Sequence, residues 1–208
     1  MSLEIIADVT RRGGCARVTF ESGESMRVPN GLYLLRRLVP GRPLDTAEYL
    51  AWRKQYEFQV ALERAVKYLE GRERSAGEVR ECLLSRGYTE EVTERVILTL
   101  TENRFLSDSR FAGLWVDARA QKLGRNRIRQ ELNRKGVDGD TVRAALETFS
   151  EEDELENAVL QARKLMRREN DPRRLLAALQ RKGYSYSIAK NALKRAGTET
   201  ETEDGEAY

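Results

Sequence analysis

The sequence predicts a mainly α chain: three tandem three-helix repeats in an elongated array, preceded by a small N-terminal β-meander with helices. Three observations predict it. A short stretch recurs three times, as Leu83-Leu84-Ser85-Arg86-Gly87-Tyr88, Leu132-Asn133-Arg134-Lys135-Gly136-Val137 and Leu179-Gln180-Arg181-Lys182-Gly183-Tyr184. Its glycines stand 49 and 47 residues apart, a spacing of the size tandem repeats use. Around each copy, apolar residues recur at the spacing of an amphipathic helix. Residues 1–28 instead do not read as helix, and within them 16–20 alternate apolar and polar, the period of a half-buried strand.

In that first region Ala16, Val18 and Phe20 alternate with Arg17 and Thr19. Gly13-Gly14 and Ser22-Gly23 are turn signals on either side. Ile5, Ala7 and Val9 supply one flanking strand, and Met26 and Val28 the other. Three strands are near the minimum for stability, so a helix should cover one face. Leu32, Leu35 and Leu38 offer its stripe, closed by Pro40-Gly41. Asp45-Thr46-Ala47-Glu48 has the form of a capping box. No breaker follows in residues 53–60, so one long helix can run into the first repeat. Residues 1–57 form this N-terminal β/α region.

Repeat 1 covers 58–107. Leu62, Ala65, Val66 and Leu69 mark its first helix; Ser75-Ala76-Gly77-Glu78 is a capping box for the second; Thr89 opens the third. Repeat 2 covers 108–150, with Phe111, Leu114, Trp115 and Ala118 as the stripe of its first helix. Repeat 3 covers 151–197. Its second helix starts at Asp171-Pro172, where Asp caps and Pro gives up an amide that has no helical partner. Gly87, Gly136 and Gly183 each end a second helix in the left-handed conformation. Gly197 ends the last helix, and the acidic tail 198–208 lacks core-forming residues and is expected to be disordered.

Composition excludes several chemistries. There is no His, which removes His acid/base catalysis, Ser-His triads and most zinc sites. No phosphate-loop or dinucleotide fingerprint appears. Asp108, Asp117 and Asp140 stand in no metal or acid/base spacing, and no catalytic activity, metal or cofactor is expected. No apolar run is long enough to span a membrane and no secretory signal is visible, so a cytoplasmic protein is expected. Cys15 and Cys82 read as reduced thiols, Cys82 as a small buried residue. Net charge is only +3, yet residues 160–196 hold 11 bases and 2 acids. Such a module suits a polyanion or an acidic protein surface.

The repeats carry a resemblance. Ala65-Val66-Lys67-Tyr68-Leu69-Glu70-Gly71-Arg72-Glu73-Arg74-Ser75 is its most telling piece. Phe105-Leu106-Ser107-Asp108 with Phe111-Ala112 follows, then Gly124, Ile128, Glu131-Leu132 and Lys135-Gly136-Val137. Arg181-Lys182-Gly183-Tyr184 and the earlier Gly41-Arg42-Pro43-Leu44 complete it. In this order the chain resembles the RecX family of bacterial regulatory proteins over nearly its whole length. Val137 stands where the family favours Ile, and Asp171-Pro172 replaces a longer basic loop. The resemblance implies a non-catalytic regulator in DNA repair, recombination and the SOS response. It would bind the RecA recombinase and its filament on single-stranded DNA, and restrain recombination, ATP hydrolysis and coprotease activity. A monomer is expected.

The candidate partner- or DNA-binding residues are the bases at the repeat joints: Arg72, Arg74, Arg125, Arg127, Arg129, Lys135, Arg173, Arg174, Arg181 and Lys182. Each also reads as part of an ordinary solvated helix face, paired with nearby acids. Tyr184 and Tyr186 can stack on bases; Tyr88 and Tyr184 also fit the apolar contact of a glycine helix cap. Trp52 and Trp115 read as core. The alternative function is a direct DNA-binding helical-repeat protein acting without RecA. A helical-repeat scaffold for another protein is a third reading.

Overall fold

The structure, a computed structural model, describes residues 3–203, except for the side chains of 198–203. The chain divides into two compact units, Met1–Ser107 and Asp108–Tyr208.

The first unit runs β1 (Leu3–Arg12), β2 (Cys15–Phe20), β3 (Ser25–Pro29), α1 (Asn30–Arg36), β4 (Pro43–Asp45), α2 (Thr46–Leu69), α3 (Ala76–Leu84) and α4 (Glu90–Glu102). The sheet is antiparallel, in the order β3-β2-β1-β4. Ala16, Val18 and Phe20 are buried, as the alternation of β2 predicts. Three expectations need correction here. The meander has a fourth strand, because Pro43-Leu44-Asp45 returns along β1, and a proline is tolerated at that sheet edge. Ile5 and Ala7 point outward. The pairing slips between Ile6 and Asp8, and this irregularity turns Ile6 and Val9 toward the core. Leu35 is exposed: α1 stops at Arg36, Arg37 turns left-handed, and Leu38 reaches the core from beyond the helix.

One helix of 24 residues, α2, links the sheet to α3 and α4. Asp45 starts it by accepting from the amides of Ala47 and Glu48. The boundary expected at 57/58 therefore falls within a continuous helix. Its first half packs on the sheet core through Tyr49, while Ala61 and Ala65 join Val79, Leu83, Val96 and Leu100 in a second core.

The second unit consists of α5 (Asp108–Ala120), α6 (Arg125–Arg134), α7 (Gly139–Glu147), α8 (Glu151–Met166), α9 (Pro172–Arg181) and α10 (Tyr186–Glu203). The first three helices close around Phe111, Ile128, Leu132, Val142 and Leu146. The last three close around Leu155, Ala158, Ala162, Leu179 and Ala192. Along α5 the buried face is Phe111, Ala112 and Val116, while Leu114 and Ala118 are exposed. That helix is apolar around too much of its circumference for periodicity to fix its rotation. Gly197 does not stop α10: its φ is not positive, and the helix continues to Glu203. The tail expected to be disordered is thus helical backbone over 198–203, and 204–208 lie outside the described residues.

The recurring stretch is the same capped helix end in all three places. Gly87, Gly136 and Gly183 have φ of 83°, 74° and 94°. Each glycine amide donates to the carbonyl three residues back, at Leu84, Asn133 and Gln180. The following amide, of Tyr88, Val137 or Tyr184, donates to Leu83, Leu132 or Leu179. This is a Schellman motif, with the repeated Leu supplying the accepting carbonyl and a buried side chain.

The three turns differ in surroundings. Gly136 is exposed, whereas Gly183 is buried, and a Cβ there would lie 2.3 Å from the Arg127 Cβ and 2.4 Å from its backbone nitrogen. Gly136→Ala should cost about 1–2 kcal/mol, the left-handed penalty alone. Gly183→Ala should cost clearly more, since backbone must also move. Urea unfolding of the full chain measures both, and equal losses would refute close docking at Gly183.

Candidate functional site

Burial and pairing sort the ten candidate bases into different settings. Arg72 pairs with Glu78 at 2.8 Å and donates to the Glu73 carbonyl. Its pKa is raised, chiefly by the hydrogen bond to Glu78. The Arg74 guanidinium sits 4.1 Å from the centre of the Tyr68 ring. Both brace the loop that enters α3. The Arg125 guanidinium donates to the Phe149 carbonyl and lies 3.5 Å from Glu154. The Lys135 ammonium sits 5.3 Å from the centre of the Trp115 ring, which Arg119 also approaches, at 4.7 Å. Trp115 is half-buried and donates from its indole N–H to Glu131 at 3.1 Å.

At the start of α9, Arg173 and Arg174 are exposed. Arg174 lies 3.4 Å from Glu169 and 3.6 Å from Asp171. With Arg181 they rim a cleft of about 530 Å³ whose apolar lining is Leu165, Leu175, Ala177 and Ala178.

Arg127, Arg129 and Arg181 come together in a groove of about 590 Å³ between α6 and the α9–α10 turn. Asn126, Gln130 and Tyr186 line it as well, and among the described residues no acidic one does. Tyr186 keeps 57% of its surface exposed. Arg129 donates to Asn126 Oδ1 at 3.0 Å, and Arg127 Nε lies 3.8 Å from Glu131. That carboxylate is shared with Arg119 at 3.2 Å and with the Trp115 indole, so it neutralises Arg127 only in part. Guanidiniums beside an open aromatic ring can bind phosphates or carboxylates and stack a base. Sequence reasoning passed over Asn126 and Gln130. Their signal was positional, since they are four apart on one helix face and Gln130 stands three residues from Arg127.

Helix-end chemistry builds this groove. Gly124 precedes α6 with no side-chain cap, so its first amides need other partners. Gly124 N–H donates to the Lys182 carbonyl at 3.0 Å, and Asn126 N–H to the Gly183 carbonyl at 3.2 Å. Arg125 N–H donates to the Glu154 carboxylate at 2.8 Å. The positive end of α6 thus meets the orphaned carbonyls at the negative end of α9. This fixes Lys182 by its backbone and holds Arg127 and Arg181 on facing walls. Tyr184 is buried beside them, and burial raises its pKa, with Glu154 adding to the effect. Among the described residues, no group of three His, Cys, Asp or Glu could hold a metal, and no helix is long and apolar enough to cross a membrane.

Two family models match the chain: "RecX, first three-helix domain" over residues 61–100, and "RecX, second three-helix domain" over residues 107–146. Proteins called regulatory protein RecX are similar to it. The one from Bacillus pumilus is 30% identical over 177 residues, covering 80% of this chain and 67% of that protein. The one from Clostridium botulinum strain Alaska E43 is 34% identical over 142 residues, covering 64% and 67%. Against the Bacillus subtilis protein, at 30% identity, the match covers 75% of this chain but 62% of the relative. The fold is shared with a crystal structure of regulatory protein RecX, at a TM-score of 0.61 and 23% identity, covering 92% of this chain and 99% of that one. It is also shared with the structure of RecX from Lactobacillus salivarius, at a TM-score of 0.63 and 23% identity, covering 68% and 97%.

Glu154 offers a direct test of how the groove is held. It is 5% exposed, and burial raises its pKa against the opposing hydrogen bond and charge of Arg125. A raised folded value means its contribution to stability is full below the unfolded carboxylate pKa and is lost as pH rises through the folded one. Glu154→Ala should cost about 1–3 kcal/mol by leaving the Arg125 amide without its acceptor. Glu154→Gln keeps an acceptor and should cost less at pH 7 than at pH 4. Urea midpoints at the two pH values check this; a Gln penalty that grows with pH would show that the ion pair outweighs burial.

Proposed function

The chain belongs to the RecX family of regulatory proteins, and from that membership we propose that it regulates the RecA recombinase. In this reading it is a non-catalytic cytoplasmic protein. It binds the RecA filament on single-stranded DNA and restrains recombination, ATP hydrolysis and coprotease activity. The observation that carries the reading to particular residues is the groove of Arg127, Arg129, Arg181 and Tyr186, which among the described residues no acidic one lines. A filament on DNA presents phosphates and protein carboxylates, and both suit guanidiniums held on rigid helices.

The mechanism is differential binding. A regulator shifts an assembly only by preferring one of its states over another. Arg127 and Arg181 project from separate helices whose ends are hydrogen-bonded together. Their spacing is therefore fixed before binding, and a filament state that matches it is favoured. Arg129 and Tyr186 extend the same face. Arg173 adds a further exposed base at the start of α9, where Arg174 is engaged by Glu169 and Asp171.

The test is RecA ATPase activity on single-stranded DNA, titrated with the full chain. Inhibition is expected. Arg129→Gln with Arg181→Gln should raise the half-inhibitory concentration about tenfold or more, the worth of at least one charged hydrogen bond. Lys164→Gln, on the exposed face of α8, should leave it unchanged. No inhibition by the unaltered chain would refute the RecA reading, and full inhibition by the double variant would refute the assignment of the groove.

A further inference from the structure

The outer face of the N-terminal sheet carries a basic pocket that the groove reading does not use. It measures about 420 Å³ and is lined by Thr10, Arg12, Cys15, Arg17, Arg27 and Ser85, with Gly13 at the hairpin tip. Among the described residues no acidic one lines it. The strand register explains the clustering. Thr10 faces Arg17 across β1–β2, and Arg17 faces Arg27 across β2–β3, so two guanidiniums stand side by side on neighbouring strands. Arg12 faces Cys15 two residues further along, about 7 Å away at strand spacing.

Like charges directly opposite on paired strands destabilise a sheet. Here the cost is not relieved by ion pairing: among the described residues, Arg12, Arg17 and Arg27 form no salt bridge. Asp8, one pleat along β1, is engaged by the Thr10 hydroxyl at 2.8 Å. Arg27 is also held in place. Its guanidinium donates to the Ser85 carbonyl at 2.7 Å and lies 3.6 Å from the Cys15 sulfur, while its own carbonyl accepts from Arg53 at 3.2 Å. One rigid guanidinium and two exposed ones, converging on an open pocket, are suited to an oxyanion that accepts several charged hydrogen bonds at once.

We propose that this pocket is a phosphate-binding site that takes the backbone of a single-stranded nucleic acid. The pocket opens onto an exposed sheet surface, and Arg12 and Arg17 are themselves exposed. A lone phosphate ion there meets charges largely screened by salt. A strand instead delivers successive phosphates, which can engage the Arg17–Arg27 row and Arg12 together. Contacts to phosphates carry no information about base identity, so the binding is independent of sequence. The site lies on the sheet of the first unit, and it stands whether or not RecA is the protein's partner.

The experiment is fluorescence anisotropy of a labelled oligothymidylate with the full chain, across a series of salt concentrations and without RecA. Arg17→Gln and Arg12→Gln should each weaken binding and lower the slope of log affinity against log salt by about 0.7, the value for one phosphate contact on a single strand. Lys54→Gln removes an exposed charge from α2 and should leave the slope unchanged. Arg27 is avoided because it also holds the Ser85 carbonyl; circular dichroism melts confirm that the other variants fold. Unchanged slopes for both Arg12→Gln and Arg17→Gln would overturn the site. Equal slope changes for Lys54→Gln would reduce the effect to net charge and overturn it too. Calorimetry with inorganic phosphate separates the sources: phosphate binding lost in Arg17→Gln, with no oligonucleotide binding, would overturn the nucleic-acid assignment in favour of a free anion.

Discussion

Every helix end leaves backbone amides or carbonyls without an intrahelical partner, and where local caps do not suffice this protein meets that constraint with tertiary contacts. The carbonyls at the end of α9 are taken by the amides that begin α6. In the first unit, the Ser85 and Gly87 carbonyls that follow α3 are taken by the guanidiniums of Arg27 and Arg53. The joints within each unit are thus specified by directional hydrogen bonds. The apolar cores supply most of the favourable free energy, at about 1.5–3 kcal/mol for each fully buried large side chain, but they set orientation less sharply.

A buried glutamate supports each of these joints. Glu57 pairs with Arg53 at 2.8 Å and accepts from the Thr89 amide at the start of α4. Glu154 accepts from the Arg125 amide at the start of α6. Both carboxylates are nearly inaccessible, at 2% and 5% exposure. A buried charge is costly without partners, and each of these sits at the positive end of a helix beside an arginine. Removing one partner strands the other, so these pairs fix geometry more than they add stability. Arg125 and Arg53 belong to the architecture for that reason, even though their sequence context looks like that of any exposed base.

That distinction marks how far the sequence could be read. The helix starts at Asp45, Ser75, Thr89 and Asp171 were legible because a cap is a local device, decided by a side chain and amides two or three residues on. The stops at Gly87, Gly136 and Gly183 were legible for the same reason, whereas Gly197, expected as a fourth, lies inside α10. The inward face of β1 was not, because a slip in pairing depends on the partner strand. The fourth strand, three residues long and containing a proline, carries no local signal at all. Among the candidate bases, charge and spacing are alike for Arg125 and Arg127. Tertiary partners separate them: Arg125 turns to the Phe149 carbonyl and to Glu154 of α8, whereas Arg127 lines the groove beside the α9–α10 turn.

The docking also decides where positive charge stays available. Residues 160–196 hold 11 bases and 2 acids, and both acids, Glu169 and Asp171, lie by Arg174 at the start of α9. The opposite end of α9 receives no acid from its own segment. It receives α6 instead, which brings Arg127 and Arg129 with it. A helix N-terminus already carries partial positive charge, so bases placed there raise the local potential further at some cost to the helix. The Glu154 carboxylate lowers that cost from the buried side, where it takes the Arg125 amide and leaves the solvent side positive. The same contact therefore satisfies the helix end and sorts the charges, inward-facing ones compensated and outward-facing ones exposed. Removing the Glu154 acceptor would loosen the joint without adding to the groove, and neutralising Arg129 would weaken the groove without touching the joint.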